Sequence, residues 1–146
     1  MKAKQMWNNF IQLHPEYQDS AYSAWSYGAI PDQLAELTLK NIKTATTSAY
    51  ELYALEDEPL PQVNELSIIL DSNDNAICMT KTTKVYVVPL NEVSAEHAFK
   101  EGEGDRTLTY WRKEHIDFFT KIYQETNLRF SENIPVVCEE FEMIYN

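Results

Sequence analysis

A lysine and a threonine three residues apart, Lys43 and Thr46 in the segment KTATTS, carry side chains that could perform nucleophilic chemistry. A lysine whose pKa is depressed by burial or by its neighbours can accept the proton of a nearby hydroxyl, which then becomes a nucleophile. In an extended strand this odd spacing places the two side chains on opposite faces, so a turn at the start of the segment must bring them together. The ordinary alternative is an exposed lysine followed by threonines that favour β-structure, and the short pattern by itself favours that alternative.

The histidines and cysteines do not have the spacing of a metal site. His97 and Glu101 are four residues apart, so they would share one face of a helix, but a third and a fourth ligand are missing. The other two histidines and the two cysteines lie at no ligand-like spacing from this pair. We therefore predict neither a metal nor a cofactor.

Two of the three glycines lie in a turn that precedes a helical pattern, in the segment EGEGDRTLTYWRKEH over residues 101–115. The acidic side chains of Glu101, Glu103 and Asp105 would repel phosphate, so this turn is not a phosphate-binding loop. Asp105 or Thr107 can instead cap the helix that follows. A carboxylate held beside such a turn can also accept hydrogen bonds or pair with a lysine.

The helix after this turn carries further candidate side chains. Trp111 and Arg112 are consistent with a core residue and a salt bridge, or with a pocket in which the indole stacks on a flat ligand. His115 lies on the apolar side of the helix, which favours a hydrogen-bonded histidine in the core or at a pocket edge over a catalytic one.

Hydrophobic periodicity and turn residues predict the elements that must position these side chains. The predicted helices span residues 3–13, 17–27, 31–41, 94–102 and 107–124, and the predicted strands span 44–50, 66–71, 76–82, 84–90 and 134–145. The last helix is the clearest, with an apolar face formed by Leu108, Trp111, His115, Phe118 and Ile122. Strands with helices inserted between them predict an α+β fold, a small mixed barrel.

Composition restricts the classes of partner. At 146 residues the chain fits one domain, and its net charge of −11 would repel a polynucleotide at long range, so a small ligand is electrostatically favoured. Neither a signal peptide nor a membrane-spanning apolar run is present, which predicts no membrane partner. Cys78 and Cys138 lie in apolar, strand-like segments, which favours reduced thiols and a cytoplasmic location.

Three segments together resemble the ASCH-domain family of the PUA-like superfamily. They are YGAIPDQLAELTLKNIKTATTSAYELY, EGEGDRTLTYWRKEHIDFF and IPVVCEEFEMIY, and the resemblance runs from about Trp25 to Tyr145. It implies one ASCH domain over residues 1–146, a small, mostly antiparallel β-barrel with flanking helices, in which 25–146 form the barrel and 1–24 a helical extension. Asn41 stands where family members commonly have glycine, and asparagine tolerates the same left-handed conformation.

The resemblance also implies a site. Some small ASCH proteins deacetylate N4-acetylcytidine with a lysine, a threonine and a glutamate, and the matching positions here are Lys43, Thr46 and Glu101. On this hypothesis Thr46 attacks the acyl carbonyl, Lys43 takes its proton, and Glu101 orients Lys43 or protonates the leaving amine. The expected substrate-binding residues are Ser48, Tyr110, Trp111 and Arg112.

Two functions remain open at this point. One is an amidohydrolase that acts on a nucleoside-like ligand. The other is an RNA-binding or RNA-cleaving module without amidase activity, in which Lys43 and Arg112 contact phosphate and Tyr110 or Trp111 stacks on a base.

Overall fold

The computed structural model describes residues 1–146 as five α-helices and a five-stranded sheet. In chain order the elements are α1 (Ala3–Leu13), β1 (Ser23–Trp25), α2 (Pro31–Leu39), β2 (Ala45–Ala49), α3 (Tyr50–Leu55), β3 (Leu66–Leu70), β4 (Ala76–Pro89), α4 (Ala95–Glu101), α5 (Leu108–Gln124) and β5 (Pro135–Tyr145). Short 3-10 helices cover Pro15–Tyr17 and Leu90–Glu92. No helix has the length and apolar character required to cross a bilayer.

The strand order is β1-β3-β4-β5-β2, and every pairing is antiparallel except the parallel pair of β1 and β3. The sheet curls into a half-barrel, so its two edge strands, β1 and β2, approach one another and residues of both line one cavity. The predicted α+β fold with a mostly antiparallel barrel is therefore confirmed. The opening between the edge strands holds the larger cavity of the molecule's candidate site.

Most predicted elements are present, and two predictions are wrong. The helix predicted over 17–27 does not form, because Ser23–Trp25 pair with Ser67–Ile69 of β3 and become an edge strand. The two strands predicted over 76–82 and 84–90 form one continuous strand, β4, with a register shift near Thr82 that accommodates its bend. The short helix α3, which follows β2 without a break, was not predicted.

Helix α5 packs on the sheet through the face that holds Trp111. Trp111, Phe119 and Tyr123 are fully buried there, while Leu108, Phe118 and Ile122 are partly buried against the same cluster. The predicted packing of α5 is therefore confirmed. Its most buried residues, Trp111, Phe119 and Tyr123, are spaced at multiples of four and so lie on one side of the helix. On another part of the sheet, α1 packs through Met6, Trp7 and Phe10.

Candidate functional site

The side chain of Lys43 is buried between two carboxylates. Its ammonium donates hydrogen bonds to Glu101 Oε1 at 3.1 Å, to Glu103 Oε2 at 3.0 Å and to the carbonyl oxygen of Ala45 at 2.8 Å. The side chains of Lys43 and Glu101 are each only 1% exposed. Burial disfavours the charged form of Lys43, but the carboxylates of Glu101 and Glu103 outweigh burial and raise its pKa above that of an ordinary lysine. The two carboxylates therefore favour the charged form of Lys43.

Glu101 is the centre of this buried network. Its Oε2 accepts hydrogen bonds from Trp111 Nε1 and from Thr47 Oγ1, both at 2.6 Å, and lies 3.0 Å from His97 Nε2. Its Oε1 lies 3.6 Å from His115 Nε2, in addition to its bond with the lysine. Burial alone would raise the pKa of Glu101, but the lysine and then His115 hold it well below its usual range. Both carboxylate oxygens of Glu101 are thus hydrogen-bonded to buried side chains.

The two histidines in contact with Glu101 are also shifted toward their charged forms. Burial opposes the charge on His97, but the neighbouring Cys138 and then Glu101 raise its pKa to about 9. For His115 burial is likewise the largest effect and opposes the charge, and Glu101 overcomes it, so that its pKa is raised. These shifts favour positive charge next to Glu101, and such charge compensates a carboxylate in the core.

Local sequence explains why the end of α4 meets the start of β2. Ser94 begins α4 by accepting a hydrogen bond from the backbone N–H of His97, and Gly102 ends the helix with a φ of 74°. A β-carbon on Gly102 would overlap the carbonyl oxygen of Ile42, so only glycine allows this close approach. The contact places Glu101, the last residue of the helix, beside Lys43.

The two threonines of β2 point in different directions. Thr47 faces α4 and α5, and its hydroxyl donates to Glu101 at 2.6 Å and lies 2.8 Å from His97 Nε2. Thr46, one residue earlier on the strand, faces the opposite side and lines the opening of the half-barrel. The Thr46 hydroxyl makes no hydrogen bond with another protein group, whereas the Thr47 hydroxyl is bonded to Glu101, so of the two Thr46 is the one free to react.

Two adjoining cavities meet at Thr46. The smaller, of about 340 Å³, contains Lys43, Glu101 and Tyr110, and the larger, of about 920 Å³, lies between the edge strands. Both are lined by Tyr27, Gly28, Thr46, Thr47 and Phe118. The cavities therefore form one cleft, with Thr46 at the junction.

Of the four predicted substrate-binding residues, two line the cleft, Ser48 and Tyr110. Ser48 lines the larger cavity and shares a hydrogen bond of 2.6 Å with the hydroxyl of Tyr53. Tyr110 lines the smaller cavity, where its ring packs against the turn residue Gly104.

Trp111 and Arg112 line neither cavity. Trp111 is buried, binds Glu101 through its indole N–H and stacks on His115 at 4.0 Å between ring centroids, so it supports the network and cannot stack on a ligand. Arg112 donates to the carbonyl oxygen of Asn91 at 2.9 Å. The prediction that these two side chains contact the substrate does not fit this arrangement.

Three ligand atoms suitable for a metal converge near Lys43. One atom each of Glu101, Glu103 and His115 lies within 4.8 Å of the others, a grouping that the sequence spacing did not reveal. The ammonium of Lys43 already bonds to both carboxylates. The lysine thus supplies the positive charge that a metal ion would otherwise bring.

Sequence reasoning missed three polar side chains of the cleft and its buried network. Thr47 was overlooked because the strand register decides which threonine faces Glu101. Glu103 was assigned to the turn rather than to Lys43. Glu139, which lines the larger cavity, is a carboxylate inside the apolar strand PVVCEEFEMIY, and that interruption is the signal that could have revealed it.

Comparison with known proteins gives one matching family and several similar solved structures. The family model described as the ASCH domain matches residues 23–145. The crystal structure of an ASCH domain from Lactobacillus crispatus JV V101 has a TM-score of 0.92 and 27% identity, covering 98% of this chain and 94% of that chain. The crystal structure of an Enterococcus faecalis V583 protein assigned to the family model DUF984 has a TM-score of 0.86 and 32% identity, covering 97% of this chain and 87% of that chain. No match was found among curated proteins.

Proposed function

The chain belongs to the ASCH-domain family, and from that premise we propose that it is an amidohydrolase that removes the acyl group from an N4-acetylcytidine-like nucleoside. The observation that carries this proposal is the position of Thr46. Its unpaired hydroxyl lies at the junction of the two cavities, and the smaller of them also contains the buried ammonium of Lys43.

In the proposed reaction the hydroxyl oxygen of Thr46 attacks the acyl carbonyl carbon. The carbonyl oxygen becomes negatively charged, and a fixed positive charge in a water-poor site stabilises that charge strongly. The raised pKa of Lys43 keeps it charged, and it acts on this negative charge through space rather than by a direct hydrogen bond, because its three N–H groups are bonded to Ala45, Glu101 and Glu103. The same property makes Lys43 unsuitable as the base that the sequence-based hypothesis assumed, because a protonated lysine cannot accept the threonine proton.

Glu101 acts in this scheme as a positioning residue. Its pKa is lowered and its oxygens are bonded to the lysine and to buried donors, so it holds Lys43 in place and does not exchange a proton with the leaving amine. Collapse of the tetrahedral intermediate expels the amine and leaves an acyl ester on Thr46, which water then hydrolyses.

The charge of the cleft supports a nucleoside over a polynucleotide. Four carboxylates line the smaller cavity, at Glu101, Glu103, Glu114 and Asp117, against two lysines, Lys43 and Lys121. The ammonium of Lys43 is already paired with two of these carboxylates. A volume of about 340 Å³ lies within the usual range of roughly 300–1,000 Å³ for small-molecule sites. A phosphate chain would meet mostly negative charge here.

The test is hydrolysis of N4-acetylcytidine by the purified protein, with chromatographic detection of cytidine. We expect turnover by the wild type, partial activity in Thr46→Ser, which keeps a hydroxyl, and none in Thr46→Ala. Thr83→Ala is the matched control, because Thr83 is an exposed strand threonine outside both cavities. Wild-type activity in Thr46→Ala would show that Thr46 is not the nucleophile.

The alternative function, RNA binding without amidase activity, is an outcome of the same experiment. It becomes the better hypothesis if the wild type hydrolyses no acylated nucleoside and instead retains labelled RNA at physiological salt. The feature that would support it is the aromatic lining of the larger cavity, which includes Tyr22, Trp25 and Tyr53.

A further inference from the structure

The proposed reaction lacks a proton acceptor, and Glu139, a carboxylate of the cleft, is the cross-strand partner of Thr46. We propose that Glu139 is the general acid–base that takes the proton of Thr46 and returns it to the leaving amine. This inference rests on the proposed function of the cleft and adds a residue to it.

The geometry of the sheet places the two side chains together. Thr46 of β2 pairs with Glu139 of β5 in the antiparallel register, so both side chains project from the same face of the sheet. The β-carbons of residues directly opposite one another lie about 4.5–5.5 Å apart, a distance that a glutamate side chain easily spans. Both residues also line the larger cavity. The carboxylate of Glu139 is therefore within reach of the hydroxyl that must lose a proton.

The surroundings of Glu139 contain no positive charge. The larger cavity is lined by no lysine, arginine or histidine, and its other carboxylates are Glu56, Glu58 and Glu65. Burial first, and then the negative charge of Glu65, raise the pKa of Glu139 to about 7, although a hydrogen bond of 3.4 Å from Thr82 opposes the shift. Tyr53 also lies close enough to interact with this carboxylate. Burial, and to a smaller extent the charge of Glu139, raise the pKa of Tyr53, so it remains a neutral phenol. Glu139 can therefore both lose and gain a proton near neutral pH, as general acid–base catalysis requires.

The other titratable groups near Thr46 do not fit this role. Lys43 has a raised pKa and keeps its proton, whereas Glu101 has a lowered pKa and keeps its charge. Glu103 is paired with the lysine. His97 has a pKa of about 9 and lies behind Thr47, on the face of β2 opposite to Thr46. His115 lines the smaller cavity, but its two ring nitrogens lie against the carbonyl oxygen of Trp111 and the carboxylate of Glu101, and Glu101 outweighs burial and raises its pKa.

With Glu139 as the acid–base, every proton that is removed in the reaction is returned. As the bond from Thr46 Oγ to the acyl carbon forms, the hydroxyl proton moves to the Glu139 carboxylate. The neutral carboxyl then gives that proton to the amide nitrogen as the C–N bond breaks, and the amine leaves. In the second half a water molecule transfers a proton to Glu139 while its oxygen attacks the ester, and Glu139 passes that proton to the departing Thr46 oxygen. The carboxylate, the hydroxyl and the charge of the site are all restored.

The first test is the pH dependence of hydrolysis of N4-acetylcytidine. We expect kcat/KM of the wild type to rise with pH to a plateau, with a midpoint near 7 set by Glu139. Glu139→Gln should lower kcat by about 10²–10⁴-fold with little change in KM and should remove that midpoint, while Glu139→Asp should restore part of the activity. Glu65→Gln removes the neighbouring charge and should move the midpoint to lower pH. Glu142→Gln, an exposed glutamate of the same strand, is the matched control and should match the wild type.

A second test does not require that the natural substrate be known. 4-Nitrophenyl acetate is an activated acyl donor, and peptide mass spectrometry detects acetylation of Thr46 after brief exposure. We expect labelling of the wild type that increases through pH 7, and much slower labelling of Glu139→Gln whose fold is verified by circular dichroism. Labelling of Thr46 that depends on Glu139, in a wild type that hydrolyses no acylated cytidine, would refute the proposed substrate and support the role of Glu139. Equal labelling of wild type and Glu139→Gln, or no labelling of Thr46 in the wild type, would overturn the inference.

Discussion

Replacing Lys43 by methionine should destabilise the protein by about 3–5 kcal/mol at neutral pH, the usual cost of removing one partner of a buried ion pair. Methionine retains most of the aliphatic side chain, so the loss comes from charge and hydrogen bonding rather than packing. The substitution removes three hydrogen bonds of 2.8–3.1 Å and leaves Glu101, which is 1% exposed, close to a second carboxylate, Glu103. Against a typical total stability of about 5–15 kcal/mol, the loss is large enough to measure by urea denaturation.

A surface pair provides the matched control. Lys40 and Glu36 are separated by 2.9 Å, a slightly shorter distance, but their side chains are 58% and 61% exposed. Lys40→Met should therefore cost less than about 1 kcal/mol. A similar small loss in both variants would refute the conclusion that burial gives the Lys43 network its strength.

Acidification provides a second check on this network. The folded-state pKa of Glu101 is depressed, so its contribution to stability is complete above the ordinary glutamate pKa and is lost as the pH falls through the folded-state value. The difference in stability between wild type and Lys43→Met should therefore narrow as the pH is lowered. The double variant Lys43→Met/Glu101→Gln should recover part of the loss at neutral pH, because it removes the uncompensated buried charge.

Two further predictions concern stability. Trp111→Phe keeps an aromatic ring in the core but removes the indole N–H that donates to the charged Glu101 at 2.6 Å, so it should cost about 1.5–3 kcal/mol by thermal or urea unfolding; a loss near zero would show that this bond contributes little. Glu139 has a folded-state pKa of about 7, above the 4.5 of an ordinary glutamate, so its charged form destabilises the fold progressively as the pH rises from about 4.5 to 7. Glu139→Gln should accordingly be more stable than the wild type at pH 8, by up to about 3 kcal/mol, and similar to it near pH 4.5; a variant that is less stable at pH 8 would contradict the shift.

Local sequence signals determined much of the secondary structure. The helix α1 has the predicted limits, Ala3–Leu13, and α5 begins at Thr107, one of the two caps predicted for it. Ser94 caps α4. Asn41 adopts the left-handed conformation predicted for it, with a φ of 60°. These features depend on hydrogen bonds and steric limits within a few residues, so they can be inferred from a short stretch of chain. The resemblance in sequence added that Glu101 and Lys43 belong to one site, and the structure places them in contact.

Only the tertiary structure decides which side chains meet in the cleft. The strand β1 forms by pairing with β3. The pairing of β2 with β5 places Thr46 on the same face of the sheet as Glu139, whereas the hydroxyl of Thr47 is bonded to Glu101. Lys43 holds its proton because Glu101 and Glu103, 58 and 60 residues further along the chain, surround it in the core. Register and protonation both depend on groups distant in sequence, since a pKa is set by burial and by the charges nearby in space. Residue types and spacing therefore identified the candidate site residues, whereas their pKa values depend on the folded structure.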